Sequence, residues 1–191
     1  MRFKCYDGNV LDSTAPIIAH QVNFNGVMDA GVAKCIKEKY PDIMEDYLEW
    51  CNSQEDKIVL LGQVQFYKRG EDDKGNPLYI ANCFSQRNKK GLNNCFTDYK
   101  AVSWCMREIN TNIRKYNLEH RVALPYKYGC GIGEGNWKDV LECIFWGFSR
   151  EKDKDFIVEL WNINGFTKEE KEEISEGNVF YHYPFEDKAV N

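Results

Sequence analysis

Residues 20–33 read HQVNFNGVMDAGVA, and residues 128–137 read YGCGIGEGNW. Each segment follows an apolar stretch, Pro16-Ile17-Ile18-Ala19-His20 in the first case and Arg121-Val122-Ala123-Leu124 in the second, and each runs into a helical pattern. Free backbone N–H groups at a helix N-terminus, with glycine allowing close approach, form a site for phosphate oxygens. Two such loops in one small domain predict a ligand with two phosphates.

Around these loops strands alternate with helices. Arg2 to Tyr6 is a strand that ends at the turn signal Asp7-Gly8-Asn9, and residues 16–20 form a compact apolar strand. A helix is expected from about Asp29, with Val32, Cys35, Ile36 and Tyr40 inward, stopping before Pro41. A second helix, residues 42–52, carries Tyr47 and Trp50 on one side. Val64 to Lys68 and Leu78 to Phe84 read as two strands joined by a polar hairpin connection. Thr97 is the expected N-cap of a helix whose Val102, Met106, Ile109 and Ile113 share one face. Asn136 is the expected cap of a helix with the apolar stripe Val140, Leu141, Ile144, Phe145 and Phe148, and Phe156 to Trp161 is the closing strand.

With 191 residues, one domain and a short appendage is the natural organisation, the boundary falling after residue 165. The segment 166–191 is first highly charged, then aromatic in VFYHYPF, and either packs on its own domain or engages a partner. A net charge of −5 argues against broad binding to nucleic-acid backbones. The eight cysteines show no C-x-x-C spacing and read as mostly reduced, buried small hydrophobes. The N-terminus has no signal-peptide pattern and no apolar run is of membrane-spanning length. The expectation is a cytoplasmic, monomeric protein without a membrane contact, a metal or a cofactor.

The succession of a strand, IIAHQVNFNGVMDAGVAKCIKEKYP, LYIANCFSQ, FTDYKAV, a strand and GCGIGEGNWKDV resembles a macrodomain over residues 2–163. Within that superfamily it is most similar to the branch of ADP-ribose 1''-phosphate phosphatases and terminal ADP-ribose glycohydrolases. The resemblance implies a three-layer α/β/α sandwich with a mixed central sheet that binds ADP-ribose or an ADP-ribosylated substrate. It implies hydrolysis of an ADP-ribose derivative, with a non-catalytic ADP-ribose reader as the alternative.

Position by position, the resemblance puts adenine against Asn9 and Val10, with Asn9 standing where many members have an aspartate, and against Trp161. It puts the distal ribose against Asn23 and Asn25. The first phosphate loop comprises Gly26, Val27, Met28, Asp29, Ala30, Gly31 and Val32. The second comprises Gly129, Cys130, Gly131, Ile132, Gly133, Glu134 and Gly135. Relatives among the glycohydrolases place a lysine where this chain has Gln86, leaving Lys89 or Lys90 as substitutes. The catalytic candidates are His20, as general acid or base, Asn25 and Asp29.

Each assignment has a plainer counterpart. Asn23 and Asn25 serve a turn as readily as a ligand. His20 is either a reacting group or a core histidine bonded to its surroundings. Asp29 either caps the helix at Val32 or Ala33 or acts as a base on water near the distal ribose. Glu134 has the same choice between solvent and site.

Overall fold

The computed structural model describes residues 1–91, 94–149 and 155–176. Six strands form one mixed sheet: β1 (Arg2–Asp7), β2 (Ile17–Asn23), β3 (Val64–Glu71), β4 (Pro77–Gln86), β5 (Arg121–Pro125) and β6 (Ile157–Asn162). Their spatial order is β1-β6-β5-β2-β4-β3. Only the β3–β4 hairpin is antiparallel; the other neighbours run parallel. The C-terminal ends of β2, β4, β5 and β6 therefore meet along one edge, where open α/β sheets gather ligands.

Alternation on β2 explains the layers. Ile17 and Ala19 face one core, and Ile18 and Val22 face the other. A strand buried on both faces is continuously apolar, as residues 17–19 are. The first face is covered by α3 (Tyr99–Lys115) and α4 (Trp137–Ser149), the second by α1 (Gly31–Lys39) and α2 (Ile43–Asn52). Val102, Met106, Ile109 and Ile113 are all fully buried; side chains of this size contribute about 2 kcal/mol each on leaving water. The result is the three-layer α/β/α sandwich with a mixed central sheet.

Several local expectations need correction. Helix α1 begins at Gly31 rather than Asp29, because Ala30 is still extended, and there is no side-chain cap. Only Ile36 of its expected inward set is buried, and Cys35 is exposed. Trp50 is exposed while Tyr47 is buried, so α2 turns one aromatic in and one out. The cap of α3 is Asp98, whose carboxylate accepts from Ala101 N–H at 2.9 Å. Asn136 does cap α4, accepting from the N–H groups of Lys138 and Asp139. Phe145 is only half-buried. All eight cysteines are free, five of them buried.

Helix α5 (Lys168–Glu176) packs against β1, with Ile174 buried in the first core. Its first turn is a reciprocal cap: Glu170 N–H donates to Thr167 Oγ1, and Thr167 N–H donates to Glu170 Oε2, each at 3.1 Å. The aromatic run at residues 179–185 lies outside the described residues. Among the described residues no helix is long and apolar enough to cross a membrane.

Candidate functional site

The first loop is shaped by Asn23. Its Oδ1 accepts from Asn25 N–H at 2.8 Å, its Nδ2 donates to the Val27 carbonyl at 2.9 Å, and its own carbonyl takes the Tyr47 hydroxyl at 2.5 Å. The Asn23 amide is thus occupied with the turn that sequence reading set beside the ligand role. Asn25 is exposed on the rim. The loop delivers the chain to Gly31, and the first helical bond is Lys34 N–H to the Ala30 carbonyl. Among the described residues no acceptor takes the N–H groups of Gly31, Val32 or Ala33.

The second loop is shaped from beneath by Thr97. The N–H groups of Phe96 and Thr97 both donate to the Gly133 carbonyl, and Thr97 Oγ1 donates to the Gly129 carbonyl at 2.7 Å. Gln21 Nε2 in turn donates to Thr97 Oγ1 at 3.0 Å. Gly133 is enclosed so tightly that a Cβ would overlap Thr97 Oγ1 and the Gly129 carbonyl, whereas a Cβ on Gly131 would stand in open space. The N–H groups of Gly131, Ile132 and Gly133 have no acceptor among the described residues.

Both triplets line one cleft of about 520 Å³ at the C-terminal edge of the sheet. The cleft brings together His20, Asn23, Asn25, Val27, Met28, Asp29, Ala30, Gly31, Val32, Gly129, Gly131, Ile132 and Gly133. It leaves out Asn9, Val10, Gly26, Cys130, Glu134, Gly135 and Trp161. The reasons are specific. Asn9 Oδ1 is used by Leu11 N–H in a 3-10 turn over Val10–Asp12, and Val10 is buried. Trp161 stacks on Tyr6 at 4.9 Å, and its indole N–H is fixed on the buried carboxylate of Glu159. Cys130 turns its sulfur to the Tyr128 carbonyl, and burial pushes its thiol up to about 12. Glu134 pairs with Lys90 at 2.5 Å.

Two candidates take definite form. Asp29 is not a cap; its largely exposed carboxylate pairs with Lys37 Nζ at 2.5 Å on the cleft rim. His20 is buried, with Nε2 lying 2.7 Å from Asn82 Oδ1. Burial lowers its pKa to about 4, against the smaller opposing effect of the Asn82 bond. The ring is therefore neutral near pH 7 and offers a hydrogen-bond acceptor there rather than a proton.

Sequence reading missed part of the wall: Gln21, Arg87, Asn88, Phe96, Tyr126 and Lys127 also line the cleft. Arg87 is held by Asp98, its Nε 2.6 Å from the carboxylate. Tyr126 donates to Glu170 Oε1 at 3.0 Å, and Lys127 Nζ lies 3.5 Å from the same oxygen, so α5 steadies this side of the cleft. Lys127 sits two residues before Gly129, close enough to the loop to be found; Arg87 and Phe96 come from a distant segment without a local pattern. Among the described residues no group of three His, Cys, Asp or Glu side chains is placed to hold a metal ion.

No family model and no curated protein matches the chain. Solved structures do. The macrodomain of Mycobacterium tuberculosis DarG is similar at 23% identity over 83% of this chain and 96% of that one, with a TM-score of 0.66. The macrodomain of Thermus aquaticus DarG is similar at 24% over 84% and 96%, with a TM-score of 0.58. Thermosipho africanus DarTG in complex with ADP-ribose is similar at 19% over 91% of this chain and 44% of that one, with a TM-score of 0.69. The likeness is one of architecture: this chain has the macrodomain fold.

Proposed function

We propose that the chain binds ADP-ribose, with the diphosphate between the Gly31–Ala33 and Gly131–Gly133 amides. The observation that carries this reading is that two triplets of residues with uncommitted N–H groups line one cleft. Oriented amides without acceptors are matched by anionic oxygens, and the positive end of the α1 dipole adds to the attraction. A cleft of about 520 Å³ lies within the size range of small-molecule sites. The similar Thermosipho africanus protein was solved with ADP-ribose. Titration calorimetry should give saturable 1:1 binding of ADP-ribose; no heat at protein concentrations of about 100 μM, where a millimolar Kd still registers, would remove the reading.

A second reading, hydrolysis of an ADP-ribose derivative such as ADP-ribose 1''-phosphate or an ADP-ribosylated macromolecule, is favoured by Asp29. Its carboxylate caps nothing and stands on the rim with Lys37 as partner. There it would take a proton from water attacking at the distal ribose or its phosphate. Gln86, standing where lysine-dependent relatives have their nucleophile, supports a reader without turnover instead. Incubation with ADP-ribose 1''-phosphate and with ADP-ribosylated protein and DNA separates the two. Hydrolysis lost in Asp29→Asn with binding retained supports the enzyme.

A further inference from the structure

A line of buried amides runs from the cleft wall across the sheet to α2. His20 Nε2 lies 2.7 Å from Asn82 Oδ1, Asn82 Nδ2 donates to Gln65 Oε1 at 2.9 Å, and Gln65 Nε2 donates to the Asp46 carbonyl at 2.7 Å. All three side chains are buried. The far end fixes the direction of the whole line. A backbone carbonyl only accepts, so Gln65 presents its NH2 to Asp46 and its oxygen to Asn82. Asn82 then turns its NH2 to Gln65 and its oxygen to His20. The hydrogen on the imidazole must therefore sit on Nε2.

This leaves Nδ1 as a bare lone pair. It is buried and has no partner among the described residues, while His20 lines the cleft. An unmatched buried acceptor in an otherwise satisfied line, on a residue that lines the cleft, is a place where a donor brought by the ligand can be taken. Phosphate oxygens are acceptors and face the amide loops instead, while a sugar hydroxyl can donate. His20 also lies on β2, three residues before Asn23 and the first loop, and away from the β1–β6 side of the sheet where Trp161 stands.

We propose that His20 Nδ1 accepts a hydrogen bond from a hydroxyl of the ligand's sugar, and that Asn82 is the positioning residue that keeps this acceptor available. The inference rests on the ADP-ribose reading of the cleft. It makes His20 a group that selects a hydroxylated sugar, and it makes residues 82 and 65, remote from both loops, determinants of affinity.

Long-range 1H–15N NMR of the full chain labelled at histidine tests it, with His20→Asn used to assign the resonances. The free protein should show His20 protonated at Nε2 only. Saturation with ADP-ribose should move the Nδ1 resonance upfield and leave Nε2 in place. In Asn82→Leu the single tautomer should be lost and ADP-ribose affinity should fall about tenfold, the loss of one hydrogen bond to a ligand. A hydrogen on Nδ1 in the free wild-type protein overturns the inference whether or not the variant folds. Calorimetric binding with Nδ1 unmoved, or undiminished affinity in a folded Asn82→Leu, overturns it and leaves the ADP-ribose reading intact. No binding of ADP-ribose removes that reading and this inference together, with the Nε2 tautomer still visible in the free spectrum.

Discussion

Thr97 Oγ1 donates to the carbonyl of Gly129 across 2.7 Å, joining the start of α3 to a loop 32 residues further along the chain. The same hydroxyl accepts from Gln21 Nε2 at 3.0 Å, so one side chain ties β2 to the second loop. Thr97→Val keeps the shape and removes both bonds, leaving the Gly129 carbonyl with Gly135 N–H alone and the Gln21 amide with Ser85 alone. Urea unfolding should show a loss of about 1–3 kcal/mol at an unchanged m value. ADP-ribose affinity should fall as well, because the Gly131–Gly133 amides lose their support. Unchanged stability and affinity would mean that the loop is held by its backbone bonds at the Gly133 and Gly129 carbonyls.

The two neighbouring glycines of this loop should respond in opposite ways. Gly131 has open space where a side chain would begin, so Gly131→Glu should fold and unfold like the parent. Its carboxylate would stand among the amides proposed to take phosphate, and calorimetry should show affinity lower by about a hundredfold or more, a penalty of about 3 kcal/mol from like charges. Gly133→Ala, in contrast, drives a methyl into Thr97 and the Gly129 carbonyl, and should lower the melting temperature. Equal affinity in Gly131→Glu would place the ligand elsewhere.

Burial holds the His20 pKa down at about 4, against an ordinary 6.5. In the unfolded chain the ring takes up a proton as pH falls through about 6.5, while in the folded protein it does so only near 4. Between these values the unfolded state binds more protons, so stability rises with pH across this window and is fully present above it. The difference corresponds to an order of 3 kcal/mol. Denaturant unfolding at pH 4 to 8 should show this slope in the wild type and a flatter one in His20→Asn. A slope unaffected by the substitution would assign the pH dependence to other groups.

The C-terminal helix touches the cleft wall through Glu170. This carboxylate receives the Tyr126 hydroxyl and closes the reciprocal cap with Thr167. Glu170→Ala removes both and should cost about 1 kcal/mol, lowering the melting temperature by about 2–4 °C. A larger effect on ADP-ribose affinity than on stability would show that Tyr126 and Lys127 meet the ligand.

The fold was legible because residues 17–19 and the stripe from Val102 to Ile113 carry strong periodic patterns, and because Gly131 and Gly133 mark a loop that lines the cleft. What was not legible depends on contacts between distant residues. Nothing near Thr97 says that its hydroxyl belongs to Gly129 while Asp98 caps the helix. Nothing near His20 reveals Asn82 and Gln65, which reach it only through the β2–β4 and β3–β4 pairings. The extended Ala30, which delays α1 to Gly31, leaves Asp29 on the rim instead of on a cap.

Lysine chemistry can be tested directly through Lys90, which follows Gln86 by four positions. Its Nζ lies 2.5 Å from Glu134 and 5.4 Å from the centre of the Phe96 ring. Both partners of the ion pair are about half exposed, and neither lines the cleft. Such a pair is worth at most about 1 kcal/mol. Lys90→Ala should therefore keep ADP-ribose affinity within about threefold of wild type, which corresponds to well under 1 kcal/mol, and should leave any turnover in place. Arg87 does line the cleft, so Arg87→Ala should weaken ADP-ribose by about tenfold, the worth of one charged contact. Loss of turnover in Lys90→Ala would mean that the segment after β4 swings Lys90 away from Glu134 and into the cleft when the substrate binds, and the nucleophile would then be this lysine after all.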